Sequence, residues 1–356
     1  DPPAPLPSAG NVMATIKLRN GIELSDFGKP YFVAELNTSH FGDLETARQM
    51  IVRAREVGCD CVKFQSWSTQ SLYSKSFYDA NPVARRMVGK FALAEDSLRD
   101  LARFAKSAGI AFASTPYSRE EVEFLIEQCD VPFIKVASME LNNLPFLDFI
   151  ARTGTPMVLS TGMGELGEIR AAVETIANAG NRNLCVLHCV STYPAAAPAI
   201  RLNNILGLRD EFPEYPIGYS DHSLGLECAT ASVALGACLI EKHFTLDHNK
   251  LGMDNQMATE PAEMMALVKA CRNVHEAMGS RERILPPEEY EQRLKMRRSI
   301  IAARELKQGT RITPADLDAK RPGSGLPPTA MATLIGKVVI RGIEADTLIR
   351  ECDVSD

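Results

Sequence analysis

The chain has no CxxC pair, no sustained basic run and no apolar stretch approaching the ~18–20 residues that a membrane span needs. Its nine cysteines, an odd count, lie at 59, 61, 129, 185, 189, 228, 238, 271 and 352, mostly within apolar runs. That spread excludes a disulfide frame or a zinc cluster and fits small buried hydrophobes in a reducing compartment. A net charge of −6 without a basic patch excludes nucleic acid as the main partner. Anionic small molecules remain open, because a few lysines can make a positive pocket in an acidic protein. The opening Asp1–Pro7 lacks a basic n-region and an apolar h-region, so residues 1–15 are expected to form a flexible tail rather than a signal peptide. No membrane partner is expected, and the cytoplasm is the expected compartment. A Gly-rich phosphate turn is also missing: the first apolar run ends in Glu35-Leu36-Asn37-Thr38-Ser39-His40, which argues against a doubly wound dinucleotide fold.

What is present is a rhythm. After an Asn20-Gly21 turn set between alternating residues, a hairpin signal, short apolar runs alternate with amphipathic stretches. The runs are Tyr31–Leu36, Cys61–Gln65, Ala111–Pro116, Phe133–Ser138, Pro156–Thr161, Leu184–Ser191, Pro216–His222 and Leu239–Thr245. Helical patterns such as Leu44–Val57, Ser97–Ala108, Arg119–Gln128, Glu165–Ala179 and Ala262–Met278 lie between them. Gly58, Gly109, Gly154, Gly180, Gly236 and Gly279 stand where C-caps belong. Eight runs and their helices over about 250 residues predict a (β/α)8 TIM barrel. The barrel is expected over 16–280, hairpin included, a charged helical linker over 281–298, and a small β-rich domain over 299–356.

In such a barrel the C-terminal strand ends carry the chemistry. They present Glu35, Lys63 with Gln65, Ser114 with Thr115, Lys135 with Ser138 and Glu140, Ser160 with Thr161, Ser191 with Tyr193, Ser220 with His222, and Glu241 with His243. Two lysines inside apolar strands are costly unless each meets an anion. That anion is either a strand-end glutamate or a phosphate or carboxylate ligand, which the surrounding hydroxyls would suit. His222 and His243 end adjacent strands and point to a divalent-metal site. Metal-assisted carbon–carbon bond formation is therefore favoured, with Schiff-base aldol chemistry on Lys63 or Lys135 as the alternative. A non-catalytic sugar- or ice-binding protein is a third class. His188 reads as a satisfied core histidine, Lys242 as pointing away from the pocket, and His40 as ligand, sugar contact or neither.

Taken together, Lys63-Phe64-Gln65, Ser114-Thr115-Pro116, Lys135-Val136-Ala137-Ser138-Met139-Glu140, Leu159-Ser160-Thr161-Gly162-Met163, Leu187-His188-Cys189, Gly218-Tyr219-Ser220-Asp221-His222, Glu241-Lys242-His243-Phe244-Thr245 and Lys320-Arg321-Pro322-Gly323 resemble the sialic acid (nonulosonic acid) synthases from about residue 16 to 350. The resemblance implies a transferase that condenses phosphoenolpyruvate with an open-chain N-acylated hexosamine, of N-acetylmannosamine type, to give a nonulosonic acid and phosphate. It implies a C-terminal antifreeze-like (SAF) domain and a domain-swapped homodimer. It implies a divalent ion, Mn²⁺ foremost with Mg²⁺ or Co²⁺ as alternatives, held by His222 and His243 to polarise the sugar aldehyde. Lys63, Thr115, Lys135, Ser138, Ser160 and Ser220 match phosphoenolpyruvate-binding positions, and Glu35 matches the general base for the water that attacks C2. Gln65, Glu140, Tyr193 and Asp254 match sugar-side or metal-side positions, and Arg321 matches an arginine that the partner chain delivers to the N-acyl group. The chain departs from the family pattern at Ser39, at Ser191 and over Gly252–Met257, which bears on the acceptor: legionaminic or pseudaminic acid precursors, 2,4-diacetamido-6-deoxyhexoses, are the alternatives.

Overall fold

The computed structural model describes residues 13–356, so most of the tail expected over 1–15 lies outside the described residues. Thr15 already belongs to a strand. It opens β1 (Thr15–Lys17), which pairs antiparallel with β2 (Glu23–Ser25) across a turn where Gly21 takes φ +86°.

Eight parallel strands follow: β3 (Tyr31–Glu35), β4 (Cys61–Gln65), β5 (Ala111–Thr115), β6 (Ile134–Val136), β7 (Met157–Ser160), β8 (Leu184–Cys189), β9 (Ile217–Asp221) and β10 (Leu239–His243). They pair in sequence order, and β10 returns to pair with β3, His243 opposite Glu35. β5 and β6 stand side by side without a ladder, the one seam in an otherwise closed barrel. Buried parallel strands read as continuous apolar runs, and each expected run contains one of these strands.

Helices cover the outside. Leu44–Glu56 is capped by Asp43, whose carboxylate accepts from the Thr46 amide at 2.8 Å, and Arg119–Gln128 is capped by Ser118. In Glu95–Ala108 the buried residues are Leu98, Leu101, Ala102 and Ala105, the i, i+3, i+4, i+7 stripe of a helix with one face on a sheet. All six glycines expected as C-caps have positive φ. The stretch between β4 and Glu95 was not read as structured, yet it holds helices Lys75–Ala80 and Pro82–Phe91 around a small core of Trp67, Tyr78 and Val88.

Side-chain alternation along the strands sorts the residues into two cores. Phe32, Ala34, Val62, Phe64, Val136 and Ile240 pack outward against the helices. Val33, Cys61, Ala113, Phe133, Val158, Leu187 and Leu239 fill the lumen together with Ile16, Leu18 and Leu24 of the hairpin. The hairpin thus closes the N-terminal end of the barrel. Its Phe27 amide donates to Gly236, and Asp26 accepts from the Ile217 amide. Gly218 sits in the lumen because a Cβ there would come within 2.5 Å of Leu187 Cδ2.

The chain divides into two compact units at Gly279/Ser280. The second contains helix Pro287–Met296, which buries no residue, and two small antiparallel pairs, Ser299–Ala302 with Leu317–Lys320 and Val338–Val339 with Val354–Ser355. Its core is built on Ile300, Leu306, Ile312, Val339 and Ile349.

Candidate active site

Moving up each strand from the apolar lumen, the next inward positions are polar. Val33 is followed by Glu35, Cys61 by Lys63, Phe133 by Lys135, Val158 by Ser160, and Leu239 by Glu241 and then His243. These side chains line one cavity of about 290 Å³ at the C-terminal end of the barrel. Thr115, Ser138, Ser220, His222, Gln65, Tyr193 and Asp254 share its wall.

Two ammonium groups and two carboxylates form its floor. Lys63 is ion-paired with Glu35 and lies 3.6 Å from Glu241, and it donates to Thr115 Oγ1 at 3.1 Å. Lys135 lies 3.7 Å from Glu241 and donates to Ser160 Oγ at 2.7 Å. Ser220 Oγ donates to Glu241 Oε1 at 2.9 Å. The glutamate reading of the strand lysines is therefore realised here, with Glu241 lying between both. Burial opposes charge on Glu241, but Lys135, Lys63 and the Ser220 hydroxyl bring its carboxyl down to about 2. Burial pushes Glu35 up despite the adjacent Lys63, and the charge on Glu241 adds to the rise. For Lys63 the burial penalty is outweighed by Glu241 and Glu35, so its ammonium is held. Burial wins at Lys135 and lowers it. One firmly ionised carboxylate faces two lysines, which leaves the floor receptive to an anion.

Above the floor stand the histidines, ring centroids 5.4 Å apart, with Tyr193 4.3 Å from His222 and 5.9 Å from His243. His222 Nδ1 lies 2.8 Å from the Val190 carbonyl, so it carries the proton and leaves Nε2 as the nitrogen that could meet a cation. Burial, reinforced by His222 and Lys63, pushes His243 well below the usual histidine range, which keeps it a neutral donor. Behind them Asp221 and Lys242 form a buried ion pair at 2.7 Å on the outer face of β9 and β10, so Lys242 does point away from the cavity. Among the described residues no three His, Cys, Asp or Glu side chains converge enough to hold a metal ion. Two imidazoles fit a divalent ion whose other ligands are water and substrate.

Several strand-end residues do not reach the wall. Ser114 turns outward and shares a 2.5 Å hydrogen bond with Ser66, and Thr161 donates to the Leu187 carbonyl at 2.8 Å. Glu140 is the third residue of the 3-10 turn Ser138–Glu140. The turn aims Ser138 inward and Met139 at the mouth, and leaves Glu140 accepting from Asn143 Nδ2 at 2.8 Å, off the cavity wall. His188 contacts the Ile200 carbonyl at 2.6 Å, as a core histidine should. His40 is buried, accepts from the Gly42 amide at 3.0 Å and does not line the cavity. Arg321 lies in the second unit and is exposed.

Sequence reasoning placed Glu241 at a strand end and allowed a strand-end glutamate as the lysines' anion, but did not single it out as a site residue, although the alternation ending at His243 places it inward. It also missed Asn37, Tyr117 and Cys189, which line the cavity. Asn37 (φ +40°) gives its backbone N–H to Glu35 Oε1 at 3.0 Å and its side chain to Asp254 at 2.6 Å. Tyr117 donates to Gln65 Oε1 at 2.8 Å. Asn37 and Tyr117 follow strand ends, where no periodicity announces an inward side chain. Ser191 and Met253, two of the departures from the family pattern, also line the cavity.

Known proteins match along nearly the whole length. The chain is 35% identical over 332 residues to N,N'-diacetyllegionaminic acid synthase of Legionella pneumophila, covering 90% of this chain and 93% of that one. It is 35% identical over 330 residues to N-acetylneuraminate-9-phosphate synthase of Homo sapiens, covering 90% and 91%. The crystal structure of an N-acetylneuraminic acid synthetase from Leptospira borgpetersenii in complex with citrate superposes with a TM-score of 0.73 at 29% identity, covering 80% of this chain and 96% of that chain. The SAF domain model matches residues 297–355 and the NeuB family model residues 50–283. The protein belongs to the NeuB family and is an enzyme of the synthase class, a TIM barrel followed by a SAF domain.

Proposed function

We propose that the protein condenses phosphoenolpyruvate with an open-chain N-acylated hexosamine to give a nonulosonic acid and inorganic phosphate. The observation that carries this reading is the floor of the cavity: two buried lysines, hydroxyls at hydrogen-bond distance, and a carboxyl raised by burial beside them.

Lys63 and Lys135 hold the phosphate and carboxylate of phosphoenolpyruvate, with Thr115, Ser138, Ser160 and Ser220 as hydroxyl partners. An amide N–H, from Gly162, already donates to Ser138 Oγ at 3.0 Å and fixes it. Carbon 3 of phosphoenolpyruvate bonds to the sugar aldehyde carbon. Water then adds at C2, passing one proton by way of Glu35 to the alkoxide on the former aldehyde carbon, and the C–O bond to phosphate breaks as the new C2 hydroxyl gives its proton to the departing phosphate. A carboxyl raised toward neutrality suits that proton transfer. His222 and His243 would hold a divalent ion, Mn²⁺ foremost, which when bound supplies Lewis-acid polarisation of the aldehyde oxygen. Tyr193 and Asp254 stand on the acceptor side of the cavity, with Gln65 beside Glu35.

The enzyme works as a domain-swapped homodimer in which Arg321 of one chain meets the N-acyl group bound by the other. Support comes from the cavity mouth, where Met139, Met163, Tyr193 and Met253 are exposed, and from helix Pro287–Met296, which leaves Tyr290 and Leu294 in solvent. The same apolar mouth favours a second reading of the acceptor, a 2,4-diacetamido-6-deoxyhexose, whose methyl and acyl groups suit methionine and tyrosine better than hydroxyls do.

The test is phosphate release from phosphoenolpyruvate with N-acetylmannosamine and with its 2,4-diacetamido-6-deoxy relatives, each with Mn²⁺ and with EDTA. Metal-dependent release with one sugar supports the reading and names the acceptor. Silence from folded, metal-loaded protein across the panel overturns it, and EDTA-insensitive turnover with borohydride trapping would move it to the aldolase class.

A further inference from the structure

The wall of the cavity holds a hydrogen-bonded chain that runs from Tyr117 through Gln65 to Glu35. Tyr117 follows β5 and is fixed at three points. Its backbone N–H donates to Glu121 Oε2 at 2.6 Å, its ring packs 5.8 Å from Trp67, and its hydroxyl lies 2.8 Å from Gln65 Oε1. Glu121 is itself tied to Ser71 Oγ at 2.5 Å, so the anchor spans two loops. Gln65 Nε2 donates to Glu35 Oε1 at 2.8 Å.

We infer that Tyr117, acting through Gln65, is a positioning residue that orients the Glu35 carboxylate. The inference rests on the general-base role proposed for Glu35.

A primary amide has two ends of nearly equal shape and opposite polarity, so packing alone does not fix which end faces the carboxylate. The acceptor-only Glu35 carboxylate does, and the Tyr117 hydroxyl, donating to Oε1, pins the far end of the amide. The N–H end then meets Glu35, whereas the flipped amide would set carbonyl oxygen against carboxylate oxygen. Glu35 Oε1 takes that N–H and the Asn37 backbone N–H and is fully engaged. Oε2 is buried and ion-paired with the Lys63 ammonium, so both oxygens of the carboxylate are held in fixed directions. Phenylalanine at 117 would fill the same space and leave Gln65 Oε1 without its donor, so the amide would be held at one end only.

Tyr117→Phe tests this in two ways. With phosphoenolpyruvate and the responding sugar, kcat should fall about tenfold, the worth of one well-made hydrogen bond, with the phosphoenolpyruvate KM unchanged. The same substitution should cost nothing further in a Gln65→Met background. In urea unfolding, Tyr117→Phe and Glu35→Gln, whose side chains share only Gln65 as a partner, should couple by severalfold in the unfolding constant. Wild-type kcat in Tyr117→Phe, a multiplied loss in the Gln65→Met background, or unfolding effects that simply multiply would each overturn the relay. Should Tyr117→Phe not fold, Gln65→Met against Glu35→Gln gives the same two readouts. A wild-type protein silent toward every acceptor, with the unfolding cycle still coupled, would sink the proposed condensation and leave the relay standing.

Discussion

Lys242→Met should destabilise the protein by about 3–5 kcal/mol, although Lys242 touches nothing in the cavity. Its Nζ lies 2.7 Å from Asp221 Oδ2 and 2.8 Å from the Ser223 carbonyl, with both side chains of the ion pair almost wholly buried. At an effective dielectric constant of about 20, opposite charges at that distance attract by roughly 6 kcal/mol before desolvation is subtracted. Removing the lysine strips that attraction and strands a carboxylate in the interior. Oδ1 of Asp221 keeps Tyr219 OH at 3.0 Å and the Ser223 N–H and Oγ at 2.8 and 2.6 Å, which places the cost toward the lower end of the range. Adding Asp221→Asn should return about 2 kcal/mol, because no buried charge is then left alone. Urea unfolding of the wild type, the two single variants and the double variant at pH 7 measures the cycle. A Lys242→Met protein within 1 kcal/mol of wild type, or a double variant that costs the sum of the singles, would refute the argument. The pair also anchors the residues beside His222 and His243, so on the proposed metal role of those histidines a folded Lys242→Met enzyme should bind Mn²⁺ more weakly.

Arg321→Ala should raise the acceptor KM and leave that for phosphoenolpyruvate nearly unchanged; equal damage to both in steady-state kinetics would end the role given to it. Gly162→Ala would place a methyl 2.2 Å from Ser191 Oγ and 2.8 Å from Ser138 Oγ, so the phosphoenolpyruvate KM should rise about tenfold or more, read by the same assay. Burial lowers His40 to about 4. Between pH 6.5 and 4 the unfolded chain therefore binds the extra proton and the folded one does not, so stability falls as pH drops through that window, by about 3 kcal/mol from this residue. His40→Asn, measured by urea unfolding at pH 7 and pH 4, should flatten that dependence, and an unchanged slope would count against it.

The barrel was legible because parallel strands buried on both faces read as continuous apolar runs and their helices stop on glycines. Lys63 and Lys135 stood out for the same reason, as charges in positions where an apolar residue is the cheaper choice. The counter-charge did not stand out. Glu241 follows Ile240 in a segment already crowded with Lys242 and His243, and only the closed barrel shows that it faces both lysines. The helices between residues 75 and 91 escaped because they form a small core of their own instead of an amphipathic stripe toward the barrel. The direction of Glu140 was not legible because a 3-10 turn, not a strand, sets it. Asn37 and Tyr117 lie in loops, where direction comes from local backbone geometry such as the left-handed conformation of Asn37, which its sequence does not dictate.

A well with one opening imposes a sequence of events. The hairpin Thr15–Ser25 seals the N-terminal end of the lumen, so every molecule must arrive and depart through the mouth between Met163, Tyr193 and Met253. Lys63 and Lys135 are slightly more enclosed than the histidines, 2% and 3% exposed against 5% for His222 and 7% for His243. Whatever seats on the lysines must be there before a second molecule settles over it, and it has no exit until that molecule leaves. For the proposed condensation this floor plan sets a kinetic order: the anion binds the empty enzyme, the sugar closes the well, and the long product must clear the mouth before the cycle restarts.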